Sequence, residues 1–343
     1  MNANQLHKVL MDESLGNAPI MVWGAPGVGK SDVINNVGHE RYGRVWDVRL
    51  PLLDQIDLRG YPVVKDDVTV WLPPDFLPKP QDGPGILFLD EINAAPPSVQ
   101  ASAYQLILNR RVGEYVLPDD VRIIAAGNRR QDKAVTHKMP SPLRSRFLTH
   151  ITLDVDLDAW IQWGMSNDIH PDVLGFVKQS YGSQASTERP EWPLFDFSQT
   201  DVDESFPTPR TWTFVSKLMG VSDPSLKWEL IAGTIGKATS DQFSIFISTL
   251  RDLPSVDEVL IHGRIPQLDR VDHKFAYVMR LATQANVSDL ANVIKYANSL
   301  GSEFGVLLIK SIGERGSELY DSLFSADGGL DWFERHADLI VSD

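Results

Sequence analysis

The chain has 343 residues, enough for two domains of about 150 residues, each with a core of its own. It holds 32 Lys and Arg against 46 Asp and Glu, a formal net charge of −14 that disfavours sequence-blind binding to nucleic acid or an anionic membrane. Cysteine is absent, which excludes disulfides, thiol catalysis and thiolate metal sites. No apolar run reaches the roughly 18 residues of a membrane span, and Met1 to Leu10 lacks a basic-then-apolar leader pattern. The expected compartment is the cytoplasm.

Up to Leu153, short apolar runs alternate with helical patterns. The first run, Pro19 to Trp23, reads as a strand buried on both faces of a parallel sheet. It leads into Gly24-Ala25-Pro26-Gly27-Val28-Gly29-Lys30-Ser31, which fits Gly, four of any residue, Gly-Lys-Ser/Thr. In such a loop glycines let the backbone curl so that its N–H groups meet phosphate oxygens. A helix starting near Ser31 would turn its positive end to the same oxygens. Lys30 can reach the β- and γ-phosphates, and the Ser31 hydroxyl can ligate Mg²⁺.

Val45 to Val48 is the second run. The third, Ile86 to Leu89, ends in Asp90-Glu91. Alone, this acidic pair equally fits a helix N-cap and first-turn acid. Beside a phosphate loop, Asp90 suits metal support and Glu91 suits general-base activation of water. Pro96 to Asn109 reads as a helix with prolines in its first turn. Arg111 to Asp120 reads as a hairpin whose turn is Pro118-Asp119-Asp120.

The fourth run, Val121 to Ala126, ends in Gly127-Asn128. Asn128 is either a turn former or an amide suited to orienting water at a γ-phosphate. In Pro140-Ser141-Pro142-Leu143-Arg144-Ser145-Arg146-Phe147, two arginines precede the last run, Leu148 to Leu153. They are a surface salt-bridge pair or guanidiniums offered to a neighbouring subunit. Arg122, Arg129, Arg130, Lys133, Lys138, Arg144 and Arg146 make this region locally basic, with Asp132 opposing.

The alternation predicts a doubly wound α/β domain over 1–156. Beyond Asp156 the strand signal fades, and 157–343 reads as mostly α-helical. Helical patterns cover 157–167, 209–219, 270–285, 288–299 and 303–323, with another through Leu226, Leu230, Ile231 and Ile235. The acidic stretch about 187–204 reads as a solvated loop, with a regulatory or partner-binding acidic insert as the alternative. Pro207-Thr208-Pro209-Arg210-Thr211 opens a helix with a cation at its positive end, which the helix dipole does not favour.

Phosphate loop, Asp-Glu strand, Asn strand tip, Ser-Arg-Phe and Pro-Arg follow one another in an order that resembles the AAA+ ATPases, specifically their MoxR-like (dynein-related) branch. The resemblance covers about 1–220. It implies a P-loop NTPase αβα sandwich with a parallel sheet, then an all-α lid and a C-terminal helical region. Gly24 to Ser31 would be Walker A, Asp90-Glu91 Walker B, Asn128 sensor 1, Arg146 the arginine finger, Arg144 a second finger candidate and Arg210 sensor 2. Asp90-Glu91-Ile92-Asn93 and Ala125-Ala126-Gly127-Asn128-Arg129 look like this branch in particular.

By resemblance, 50–78 is the helix-2 insert and 110–121 the pre-sensor-1 hairpin. Tyr61, Trp71 and Tyr115 are then candidate pore or partner contacts, with local packing as the alternative for each. The implied activity is Mg²⁺-dependent ATP hydrolysis in a homo-hexameric ring. The ring would remodel a protein client beside a von Willebrand factor A domain partner. A nucleic-acid motor and a nucleotide-gated scaffold with little turnover are the alternatives.

Overall fold

A computed structural model describes residues 1–129, 137, 139–182 and 205–340. The chain divides into two compact units, Met1–Asp156 and Leu157–Asp343. In chain order the first unit runs α1 (Ala3–Met11), β1 (Ile20–Trp23), α2 (Lys30–Tyr42), β2 (Val45–Arg49), α3 (Gln55–Arg59), β3 (Tyr61–Lys65) and β4 (Val68–Leu72). It continues with β5 (Gly85–Asp90), α4 (Pro97–Asn109), β6 (Arg111–Val112), β7 (Tyr115–Val116), β8 (Val121–Gly127), α5 (Ser141–Arg144) and β9 (Thr149–Thr152).

The five expected runs form one sheet in the order β2-β5-β8-β1-β9, with every neighbouring pair parallel. Every residue of β5 and β8 is buried, which is why those segments carry unbroken apolar runs. Strand order places β5, β8 and β1 side by side, so the ends of three consecutive neighbours converge where Trp23, Asp90 and Gly127 stop. Gly38 of α2 lies against the Val45 and Ile86 side chains. By strand alternation Asp47 and Arg49 of β2 then share the α2 face with Phe88 and Asp90 of β5.

Two hairpins leave the sheet. β3 pairs with β4 across Asp66 and Asp67, both with positive φ (49° and 61°), as in a two-residue type I′ turn. β6 pairs with β7 across Gly113 and Glu114, which corrects the expected turn. Pro118-Asp119-Asp120 instead leads β7 into β8, held by Arg110, whose Nη2 donates to the Pro118 and Val121 carbonyls. The tighter turn won because Gly113 takes the left-handed conformation (φ 57°) that a two-residue connection needs.

The second unit comprises α6 (Leu157–Ser166), α7 (Pro171–Gly182), α8 (Pro209–Leu218), α9 (Pro224–Ile235), α10 (Lys237–Thr249) and α11 (Asp257–Leu260). It ends with α12 (Val271–Gln284), α13 (Leu290–Ser299), α14 (Ser302–Gly313), α15 (Ser317–Ser325) and α16 (Gly329–Ile340). Phe176, Trp212 and Phe243 meet at ring-centroid distances of 5.1 to 5.7 Å in its core. Arg280 of α12 donates twice to the buried Asp172 carboxylate of α7, at 2.6 and 2.9 Å. The pattern at 303–323 resolves into two helices, α14 and α15, rather than one. The break spans Glu314, Arg315 and Gly316, and Arg315 Nη1 donates to the carbonyls of Ala282, in the last turn of α12, and of Ala285, just past its end.

The acidic stretch 187–204 lies outside the described residues, except that Ser205 onward is seen. Arg130, Lys133 and Lys138 also fall outside them. Among the described residues no helix is long and apolar enough to cross a membrane.

Candidate functional site

The loop from Gly24 to Gly29 joins β1 to α2 at the carboxyl end of the sheet. Gly27 and Gly29 take φ of 77° and 96°, a region that side chains with a Cβ avoid. Gly29 is also the N-cap of α2, and no side chain caps that end. The first-turn N–H groups of α2 are thereby left to a ligand of opposite sign.

Lys30 is 7% exposed and its ammonium donates to Gly24 O (2.8 Å), Ala25 O (2.9 Å) and Asn128 Oδ1 (3.0 Å). An ammonium only donates, so the Asn128 amide must face Lys30 with its oxygen and turn its NH₂ end away. Ser31 Oγ donates to Asp90 Oδ2 at 3.0 Å. The other Asp90 oxygen accepts from the Glu91 N–H at 2.8 Å. Glu91 has φ of 54° and an exposed side chain. The left-handed turn immediately after β5 carries its carboxylate away from the strand.

Asn93 and Asn128 are joined backbone to side chain. Asn93 Nδ2 donates to Asn128 O at 2.7 Å, and Asn128 N–H donates to Asn93 Oδ1 at 3.1 Å. Asp47 is a further acid on the α2 face of β2. Desolvation, and then the Asp90 carboxylate, push it above the ordinary aspartate range. Neither Asn93, read only within its motif, nor Asp47 has a role assigned from the sequence. The signal for Asp47 was a carboxylate inside an otherwise apolar run, and for Asn93 its place in the acidic motif.

The residues present fit a magnesium-bound nucleotide. The Ser31 hydroxyl and the Asp90 carboxylate meet at one point, beside a buried cation and a loop of backbone donors. Among the described residues no group of three or more His, Cys, Asp or Glu could hold a metal. Sparse protein ligation is ordinary for Mg²⁺, which keeps waters and takes phosphate oxygens.

The structure brings Lys30, Ser31, Asp90 and Asn128 into one network. Arg144 and Arg146 are exposed, and among the described residues neither has a carboxylate partner nor a bond to that network. Arg210 is exposed in the first turn of α8, whose start is fixed by a Thr208–Thr211 capping box. Tyr61 is 64% exposed. Trp71 is half-buried, with the Arg59 guanidinium 4.6 Å from its ring centre.

Of the two readings for Tyr115, the structure favours local packing over a surface contact. Tyr115 is 8% exposed within the apolar core, its hydroxyl donates to Pro78 O at 2.7 Å, and burial pushes its pKa up. Arg122, counted in the basic stretch, is fully buried and donates to Leu10 O at 2.9 Å. Arg129 of the same stretch pairs with Asp154 at 2.7 Å.

Residues 19–147 match the AAA domain of the dynein-related subfamily. The matched residues lie within the first unit. No curated protein sequence matches the chain. Among solved structures it is similar to RuvB of Thermotoga maritima, a Holliday junction branch migration motor. The identity is 15% and the TM-score 0.40, over 89% of this chain and 86% of that one. It is also similar to NtrX of Brucella abortus in complex with ADP. There the identity is 17% and the TM-score 0.35, over 94% of this chain and 67% of that one. With the sheet order and the phosphate loop in hand, the AAA domain has a P-loop α/β fold, and the chain continues into a helical region.

Proposed function

We propose that the chain binds Mg-ATP and hydrolyses it as a hexameric ring that remodels a protein client beside a von Willebrand factor A domain partner. One observation supports the chemistry above the rest: Lys30 bonded to Asn128, with Ser31 bonded to Asp90 alongside. In this reading Lys30 and the loop N–H groups neutralise phosphate oxygens. Ser31 and Asp90 would hold Mg²⁺, which supplies positive charge against the phosphates. Glu91 takes a proton from the attacking water. The NH₂ end of Asn128 holds that water in line.

Arg146, with Arg144 as second candidate, is the guanidinium offered to a neighbouring copy, and Arg210 senses nucleotide. The motif order supports these roles, the ring and the client. Exposed Tyr61 and half-buried Trp71 are the surface we assign to client contact.

Glu91→Gln should retain nucleotide binding and hydrolyse ATP at least about 100-fold slower. Near-normal turnover would remove Glu91 from the role. Arg146→Ala, titrated into wild type, should depress activity more than in proportion to its fraction. Strict proportionality would mean that the finger does not act between copies. Turnover stimulated by DNA and fading steeply with salt would replace the client reading with a nucleic-acid motor.

A further inference from the structure

Asn93 stands three residues beyond Asp90 and is 3% exposed. A buried amide without partners is costly, so its bonds show what the position is for. Both of its polar atoms go to the backbone of one residue, Asn128, which follows the last residue of β8. Nδ2 donates to Asn128 O and Oδ1 accepts from Asn128 N–H. No other assignment of the amide satisfies both bonds, since a peptide carbonyl only accepts and a peptide N–H only donates. The Asn93 side chain therefore acts as one extra rung of sheet beyond the end of β8.

Two neighbouring features fit this rung. A Cβ on Gly127 would come within 2.6 Å of Asn93 Oδ1, so the residue before Asn128 must lack a side chain for the rung to form. The backbone on the Asn93 side is also tied down: Ile92 N–H donates to Ala126 O at 2.9 Å, and His137 N–H to Asn93 O at 2.6 Å. Asn128 in turn accepts from Lys30 through its own side chain.

We propose that Asn93 is a positioning residue. It fixes the Asn128 backbone, so that the Asn128 amide keeps its oxygen on Lys30 and its NH₂ end toward the water that Glu91 deprotonates. The inference rests on the ATPase reading for its effect on turnover, but not for the rung itself. Asn93 makes the turn after Asp90-Glu91 and the tip of β8 move as one piece. The base and the water-orienting amide then share one rigid support, which is what in-line attack requires.

Asn93→Asp tests this with an isosteric change. The carboxylate can still accept from Asn128 N–H but faces Asn128 O with no proton to give. Asn93→Ser, which can serve one of the two atoms but not both, stands in if the aspartate variant does not fold. We expect kcat for ATP to fall about 10- to 100-fold, the loss of roughly one buried hydrogen bond's worth of positioning. Affinity for a fluorescent ADP analogue should change less than about threefold, because Lys30 and the loop are untouched. In an Asn128→Ala background the Asn93 change should have no further effect on kcat. Hydrogen exchange should speed up at Asn128 while the interior of β8 keeps its protection.

Unchanged exchange at Asn128, or kcat losses that multiply independently in the double variant, would overturn the proposal. If wild type fails to hydrolyse ATP at all, the ATPase reading falls. The exchange measurement then still decides whether the rung exists.

Discussion

At the carboxyl ends of β1, β5 and β8, polar side chains are buried and held by named partners. On the β3–β4 hairpin, apolar side chains stand in solvent, with Val64 at 80% exposure and Val68 and Leu72 also exposed. Both patterns run against what cheap folding would choose. The first is affordable because Lys30, Ser31, Asp90, Asn93 and Asn128 satisfy one another. The second costs little in a monomer but leaves a surface that another molecule can cover. The β6–β7 hairpin is the control between them. It also carries an aromatic, yet Tyr115 is buried with its hydroxyl bonded, so it reads as packing.

The comparison breaks most sharply at Lys30. Lys30→Ala should abolish measurable turnover and weaken nucleotide binding at least about tenfold, since a charge-assisted contact is lost. Unchanged affinity by fluorescent-nucleotide titration would reject the phosphate-loop assignment. Tyr115→Phe comes next. It leaves Pro78 O without its donor and should cost about 1–2 kcal/mol in urea unfolding, with ATP turnover per folded molecule unchanged. A silent Tyr115→Phe would undo the distinction between the two hairpins. The smallest effect on folding is expected for Tyr61→Ser combined with Val64→Ser. Their stability should stay within about 0.5 kcal/mol of wild type, while client-stimulated turnover drops. Equal loss of basal and stimulated turnover would mean that the hairpin serves the fold and not a client.

Much of the sheet was legible because β5 and β8 are buried on both faces, and such strands read as continuous apolar runs. The phosphate loop was legible because its glycines and Lys30 are adjacent in sequence. What stayed hidden depends on pairing across the sheet. Asn93 and Asn128 are 35 positions apart, and only the pairing of β5 with β8 brings the Asn93 amide to the Asn128 backbone. The true turn of the β6–β7 hairpin was masked by a second good turn sequence a few residues on. In the second unit the break between α14 and α15 escaped notice, because apolar periodicity continues through it while Arg315 turns to α12.

Glu91 carries a last consequence. Its φ of 54° is a conformation that a glycine adopts freely and that other side chains resist by roughly 1 kcal/mol or more. A search for thermostable variants should therefore favour Glu91→Gly, which relaxes the backbone and deletes the proposed base in one change. At this position selection for a sturdier fold and selection for turnover pull in opposite directions. A stability screen run without an activity filter would drift toward an inert protein.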